Sequence, residues 1–280
     1  FRTMQSLWKN ITLHESYCKK KIKRVFFSIN DPDPRSYNKC SNNIRSKGIH
    51  VSKGLIKNEI NSFYRSYLKS RKNVLPFVTC KLAVSKDYYT VDKKNKNWIT
   101  NKFSRARVHL MRSNHDCIVT SSKTITHDNP QLTCRIEGLE DRSPSRIILD
   151  KKLNIPMNSK IIKESNIYTT IIFYNKINKK KAASLRKLKI KTHKISLDKE
   201  GNLDLKKSLI KAKELGFSRI FVEAGIKLSI SFFNKDLIDD FKLFISNNNL
   251  GINGSGSINK YFRFFLKNKK KVVERINLFG

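Results

Sequence analysis

The chain has 280 residues, 39% hydrophobic with 17 Phe and 9 Tyr, which suffices for one large or two smaller packed domains and excludes the disordered class. No apolar run approaches the roughly 20 residues that span a bilayer, and the first ten residues lack a signal-peptide pattern, so a soluble, cytoplasmic protein without a membrane partner is expected. The net charge of +37 invites a nucleic-acid reading, but the 59 Lys and Arg residues run through the whole chain, mostly as Lys among abundant Asn and Ile, without the aromatic interleaving that stacks bases.

In chain order, residues 22–29 alternate like a strand and stop at Asp31-Pro32-Asp33-Pro34, a rigid turn because each Pro bars the preceding residue from helix. Helical spacing over 40–46 ends at Gly48, a candidate C′ glycine. A strand at 49–51 and a helix over 55–72 complete about half of a small α/β domain. Residues 77–84 read as an apolar, central strand. A helix over 104–112, strands at 117–120, 146–150 and 167–174, and a helix over 205–215 closing at Gly216 follow. Strand 219–222 then feeds Glu223-Ala224-Gly225 and a helix over 227–234, with a last strand at 240–245. Strands alternating with helices predict a mostly parallel α/β sheet. The lysine runs at 19–21, 179–181 and 269–271 read as charged surface turns.

Lys81 stands inside an apolar strand, where an ammonium must snorkel, pair or meet a ligand. A pairing with Glu223, at a strand end where α/β sheets present functional groups, is one option. Arg112 at a helix end suits the dipole as well as a ligand. Arg135 follows Asp128-Asn129-Pro130, turn chemistry that fixes a loop, and guanidinium groups grip phosphate bidentately. Gly225 opens a helix whose unpaired N–H groups suit phosphate, although neither G-x-G-x-x-G nor a Walker sequence occurs. The cysteines Cys18, Cys40, Cys80, Cys117 and Cys134 form no C-x-x-C pair and are expected as reduced thiols. His14-Glu15 with Cys18 does not make a deaminase zinc site, which needs H-x-E and a Pro-Cys motif; no metal is expected.

Several stretches occur together in order: Pro76-Phe77-Val78-x-x-Lys81-x-Ala83-x-Ser85, Trp98-Ile99-Thr100, Arg112, Thr124-x-x-x-Asp128-Asn129-Pro130-x-Leu132-x-x-Arg135 and Val222-Glu223-Ala224-Gly225. In these the chain resembles the bifunctional riboflavin-biosynthesis deaminase/reductase family. The resemblance implies a dihydrofolate-reductase-like reductase domain at 74–280, preceded at 1–72 by a partial cytidine-deaminase-like domain without its zinc motifs. It further implies a homodimer and NADPH-dependent reduction of the ribosyl group of 5-amino-6-(5-phosphoribosylamino)uracil, a phosphorylated pyrimidine. Ala83, Trp98, Thr124, Asp128 and the turn Gly225, Ile226, Lys227, Leu228, Ser229, Ile230 and Ser231 would contact NADPH. Arg112, Leu132, Arg135 and Glu223 would hold the substrate, with the arginines on its phosphate, and Lys81 and Glu223 would serve the chemistry.

The chain departs from the family at Lys86 and Tyr88, where Ser-Leu-Asp-Gly becomes Ser85-Lys86-Asp87-Tyr88, and at Lys96, where a serine is expected. The family's closing strand is expected beyond Gly280, and the lack of an initial Met reads as a fragment. The alternatives are a decayed, non-catalytic homologue and a basic nucleic-acid-binding α/β protein.

Overall fold

Strands rich in β-branched residues alternate with helices throughout the computed structural model, which describes residues 22–32, 39–94 and 99–258. The chain forms two units, Phe1–Val74 and Leu75–Gly280. In the first, β1 (Arg24–Phe27) lies parallel to β2 (His50–Lys53), with α1 (Lys39–Arg45) between them in sequence. Ile44, Ile49 and Val51 are buried there, with Val25 and Phe27 packed against them. Gly48 takes φ 74° just after α1, as a C′ residue must to release the helix. The helix expected over 55–72 is instead two, α2 (Lys57–Phe63) and α3 (Arg65–Lys72), separated at Tyr64 with φ −88° and ψ 10°. Neither buries a residue, so no apolar stripe holds one continuous rod together. Asp33 and Pro34 of the expected turn lie outside the described residues.

The second unit runs β3 (Phe77–Val84), β4 (Tyr89–Asp92), α4 (Lys102–Ser113), β5 (Cys117–Ser121), α5 (Ser122–Asp128), β6 (Ser145–Leu149), α6 (Lys160–Lys163), β7 (Thr170–Tyr174) and α7 (Lys179–Lys187). It continues with β8 (Lys191–Lys194), α8 (Leu205–Glu214), β9 (Arg219–Glu223), α9 (Ile226–Asn234), β10 (Asp240–Ile245) and β11 (Gly254–Ser257). Seven of these strands make one sheet in the order β10-β3-β9-β5-β6-β7-β8, and every pairing in it is parallel. The parallel sheet is therefore as expected. β4 and β11 form a separate antiparallel ribbon.

Period-2 alternation sorts the sheet into two faces. Val78, Cys80, Val119, Ile147, Ile171, Ile220 and Val222 pack with Leu205 and Leu209 of α8 and Phe232 of α9. Ile118, Ile148, Ile172 and Phe221 pack on the other face with Val108 of α4, Ile125 of α5, Ile161 and Ile162 of α6 and Leu185 of α7. Right-handed crossovers explain the division. Connections from β3 to β8 step one way along the sheet, whereas β8 to β9 and β9 to β10 step back, so α8 and α9 must cover the opposite face. Helices on both faces are why the central strands are apolar nearly throughout.

The structure corrects or extends the sequence reading at three places. The lysines at 179–181 are not a turn but the first turn of α7, which Asn178 caps by accepting from the Lys181 N–H at 3.1 Å. The stretch leading into the expected Asp128-Asn129-Pro130 turn is the body of α5, started by Ser121 Oγ accepting from the Thr124 N–H at 3.3 Å. β8, unanticipated, is an edge strand of sequence Lys-Thr-His-Lys; its charges guard an open edge and erase the apolar signal.

Candidate active site

β3 and β9 are neighbours in register, with Lys81 opposite Glu223. Paired residues share a face, so both side chains stand on the α4 side, beyond Thr79 and Phe221. Arg112 meets them there. It sits in the last turn of α4, and because helical side chains lean toward the helix N-terminus, its guanidinium reaches the carboxyl end of the neighbouring strands. Arg112 Nε and Nη2 donate to Glu223 Oε2 and Oε1, each at 2.9 Å, and Nη1 donates to the Thr133 carbonyl at 2.9 Å. Arg112 is only 8% exposed, a burial that the two-pronged carboxylate pairing makes tolerable.

The electrostatics follow from that geometry. Burial alone would raise the Glu223 carboxyl, but the charge and hydrogen bonds of Arg112, with Lys81 beside it, hold its pKa below the ordinary value. Burial lowers the Lys81 ammonium pKa; Glu223 opposes the shift and Arg112 adds to it. Lys81 Nζ also lies 5.8 Å from the centre of the Phe244 ring on β10. One helical turn before Arg112, His109 Nδ1 stands 3.0 Å from the Thr133 carbonyl and 3.1 Å from the Arg135 backbone nitrogen. His109 and Arg112 thus hold the segment carrying Arg135 at two points. Burial first, then the like charge of Arg112 and Arg135, keeps the His109 pKa below its usual value.

Arg135 itself is exposed. Its Nη1 donates to Gln131 Oε1 and Thr133 Oγ1, each at 3.3 Å. Partial burial first, then the like charge of Arg112, lower its pKa, against the opposing carboxylates of Glu164 and Glu223. A guanidinium carries five N–H donors; three in Arg112 are already engaged by Glu223 and Thr133, whereas Arg135 offers an accessible cation. Leu132 is buried at 2%, with its backbone in the left-handed region at φ 58°. Strain of this kind, about 1–2 kcal/mol for a bulky residue, is held by the packing of its side chain in the core.

Beside this cluster the topology opens a crevice. β5 and β9 are adjacent, and the chain leaves β5 toward β6 but leaves β9 toward β10, in opposite directions across the sheet. Such a switch point is where open α/β sheets bind ligands. It is bordered by α5, carrying Thr124 and Asp128, and by the start of α9. There Gly225 is the N-cap residue and no acidic residue stands in the first turn. A Cβ built on Gly225 would meet nothing within 4 Å, and Gly225 and Lys227 are exposed. Ser229 is enclosed at 1% exposure, and its hydroxyl donates at 3.4 Å to the carbonyls of Ala224 and Gly225. Leu228 packs on the core and Ile226 on the cluster of Leu82, Val84 and Ile258.

The structure therefore brings Lys81, Arg112 and Glu223 together with Arg135 close by, Leu132 buried in the core on the same face of the sheet, and Ala83 next along the Lys81 face of β3. Thr124 and Asp128 lie on the helix that follows β5, and Gly225 and Lys227 at the start of the helix that follows β9, the two strands of the switch point. Trp98 and Lys96 lie outside the described residues. Tyr88, where the family's glycine is expected, takes φ 67°; the turn retains the glycine-like backbone although the residue has changed. Asp87 accepts from Ser85 Oγ at 2.6 Å and from the backbone N–H groups of Leu250 and Gly251, and Ser85's hydroxyl first, then those N–H groups, hold its pKa at about 2. Sequence reasoning overlooked His109, Gln131, Thr133 and Phe244. The spacing of His109 and Arg112, one turn apart on a helix face, was the available signal. Among the described residues no group of three or more His, Cys, Asp or Glu could hold a metal, and Cys80, Cys117 and Cys134 are free and buried.

Residues 76–276 match the family described as the RibD C-terminal domain. The riboflavin biosynthesis protein RibD of Bacillus amyloliquefaciens is 28% identical over 233 residues, which cover 83% of this chain and 62% of that protein. Its counterpart in Aquifex aeolicus is 30% identical over 259 residues, 91% of this chain and 70% of that one. The crystal structure of a diaminohydroxyphosphoribosylaminopyrimidine deaminase/5-amino-6-(5-phosphoribosylamino)uracil reductase from Thermotoga maritima matches with a TM-score of 0.70 at 26% identity, over 85% of this chain and 63% of that one. The chain thus spans less than two thirds of the Bacillus relative. With the match running from the first residues of β3 past the last described strand, the chain belongs to the RibD C-terminal domain family.

Proposed function

We propose that this chain is a reductase of riboflavin biosynthesis, reducing the ribosyl group of 5-amino-6-(5-phosphoribosylamino)uracil to a ribityl chain with NADPH. The observation that carries this reading is the cluster where β3 and β9 pair, in which Lys81 stands opposite Glu223, Arg112 grips the Glu223 carboxylate and the exposed Arg135 stands close by, beside the switch point of the sheet. A cluster of three cations in which the Arg135 guanidinium is exposed suits a substrate that arrives with a phosphate dianion.

The residues at the crevice fit a dinucleotide. The start of α9 presents unpaired N–H groups, a glycine with open space around it, an exposed lysine and no carboxylate, the requirements of a pyrophosphate site. Ala83, Trp98, Thr124, Asp128 and residues 225–231 are the proposed cofactor contacts. When bound, NADPH supplies the hydride. The protein's own groups then position and neutralise. Arg135 grips the phosphate, Arg112 keeps Glu223 ionised and oriented as a hydrogen-bond acceptor for the sugar, and Lys81 donates to a sugar oxygen. Leu132 shapes the floor under the substrate. Residues 1–72 are read as the tail of a deaminase-like domain, and the sequence holds neither zinc motif, so deamination is not assigned to it. The proposed working form is a homodimer.

Titration of the folded chain with NADPH and with NADH, followed by fluorescence, tests the cofactor reading; saturable binding that favours NADPH is expected. Turnover tests the substrate reading. Arg135→Ala should raise the KM for the phosphorylated substrate about 10- to 100-fold, the loss of one or two charge-assisted hydrogen bonds, with NADPH affinity unchanged. A folded protein that binds neither nucleotide would instead be a non-catalytic homologue.

A further inference from the structure

We propose that Gln131 is a positioning residue that sets the Arg135 guanidinium for the incoming phosphate; the inference rests on the substrate reading above. Arg135 is an exposed side chain on a flexible stem, and holding one such stem in a single geometry costs on the order of 1–2 kcal/mol of rotamer entropy. Here the protein's own side chains provide that order. Gln131 Oε1 accepts from Arg135 Nη1 at 3.3 Å, and on its other side Gln131 Nε2 donates to Glu164 Oε1 at 2.7 Å.

Glu164 is anchored in turn. Arg146, fully buried, places Nη1 3.6 Å from Glu164 Oε2. The same Nη1 donates to the Gln131 carbonyl at 3.1 Å, so backbone and side chain of Gln131 are both fixed. The left-handed turn at Leu132, φ 58°, brings residues 131 and 135 within reach of one another. The relay runs from a buried arginine and its half-buried carboxylate partner through an amide to the cation at the site.

An amide is the side chain that suits this place. It donates to a carboxylate with one end and accepts from a guanidinium with the other. A carboxylate at 131 would be repelled by Glu164 and would compete with phosphate for Arg135; an aliphatic residue would offer neither bond. Because the acceptor is neutral, Arg135 is oriented while its charge stays available. Arg112 shows the contrast, its charge being matched by Glu223.

The test uses the full chain and two substrates, the phosphorylated compound and its counterpart lacking the 5-phosphate. Gln131→Ala should raise KM for the phosphorylated substrate about fivefold to tenfold, the scale of one hydrogen bond to a charged group, and leave kcat unchanged. The substrate without phosphate should show no change, and the effect should vanish when Gln131→Ala is added to Arg135→Ala. Gln131→Glu should be worse than Gln131→Ala, since it ties up the guanidinium. Should alanine loosen the loop, seen as a lowered Tm, Gln131→Met keeps the stem packed and repeats the comparison. Equal losses with both substrates, a full loss retained beside Arg135→Ala, or no loss at all while Arg135→Ala is impaired would each overturn the role. If Arg135→Ala itself leaves the phosphorylated substrate unaffected, the substrate reading fails, whatever Gln131 does.

Discussion

Arg146 and Arg112 are both buried arginines on the same side of the sheet, yet their surroundings differ in kind. Arg146 gives its donors to Thr170 Oγ1 and to the carbonyls of Gln131, Ile161, Glu164 and Tyr168, and its guanidinium lies 5.2 Å from the Tyr168 ring centre. It ties the Gln131 loop, α6 with its C-terminal end and the entry to β7 together and has nothing left to offer a ligand. Arg112 engages one carboxylate and one carbonyl next to the open end of two strands. Burial alone therefore does not identify a functional arginine. What separates the two is whether the donors are exhausted by backbone, and whether the partner is itself a group that can act on a substrate.

The largest effect expected from breaking this contrast is at Arg146. Arg146→Met leaves several carbonyls unsatisfied and strips Glu164 of its buried partner, a loss of about 3–5 kcal/mol, to be read as a fall in the urea midpoint. Because Arg146 also anchors Glu164 and the Gln131 carbonyl, the fraction that stays folded should in addition show a raised KM for the phosphorylated substrate.

Glu223→Gln comes next. It removes the countercharge of Arg112 within a pair whose side chains are 10% and 17% exposed, for which about 2–3 kcal/mol is expected after allowing for that exposure. Here kcat/KM should fall well beyond the change in stability, by at least about tenfold. The pH dependence sharpens the point. The folded Glu223 pKa is depressed, so its contribution is present above the unfolded value near 4.5 and is lost as pH falls through the folded one. Wild-type chain should lose stability in that acid range more steeply than Glu223→Gln, as followed by chemical denaturation at each pH. Parallel curves would show that the pair contributes nothing to acid sensitivity.

The smallest effect on the fold is expected at Arg135. Its exposed guanidinium holds no element in place, so Arg135→Ala should shift stability by no more than about 0.5 kcal/mol while raising KM as described above. A large destabilisation would mean that Arg135 belongs with Arg146 rather than with the site.

Much of this was legible in the chain itself. The apolar runs at 77–84 and 219–222, ended by turn residues and separated by periodic helices, announced central parallel strands, and Lys81 was conspicuous because a charge interrupted such a run. Helices with an apolar stripe, such as α8, were readable for the same reason. The elements that escaped were those in which local signals are weak. α5 is a seven-residue helix containing Thr and Ile, whose propensity opposes it, and it exists because Ser121 caps it and Ile125 is buried beneath. β8 is an edge strand of polar residues. The break at Tyr64 lies in a segment with no buried face to favour continuity.

The sequence by itself determined the alternation of strands and helices, the mostly parallel sheet with apolar central strands and the residue types at strand ends, because periodicity and turn chemistry are local properties written in neighbouring residues. Only the tertiary structure decided who pairs with whom. Lys81 and Glu223 are 142 positions apart in numbering and stand opposite one another because β9 inserts between β3 and β5, a consequence of the reversal after β8. Arg112 reaches Glu223 rather than solvent because a helix antiparallel to the strands leans its side chains back toward their ends. That Gln131 links Glu164 to Arg135 depends on a left-handed leucine that no propensity would choose; the packing of its side chain holds it there, and packing is settled by the whole fold at once.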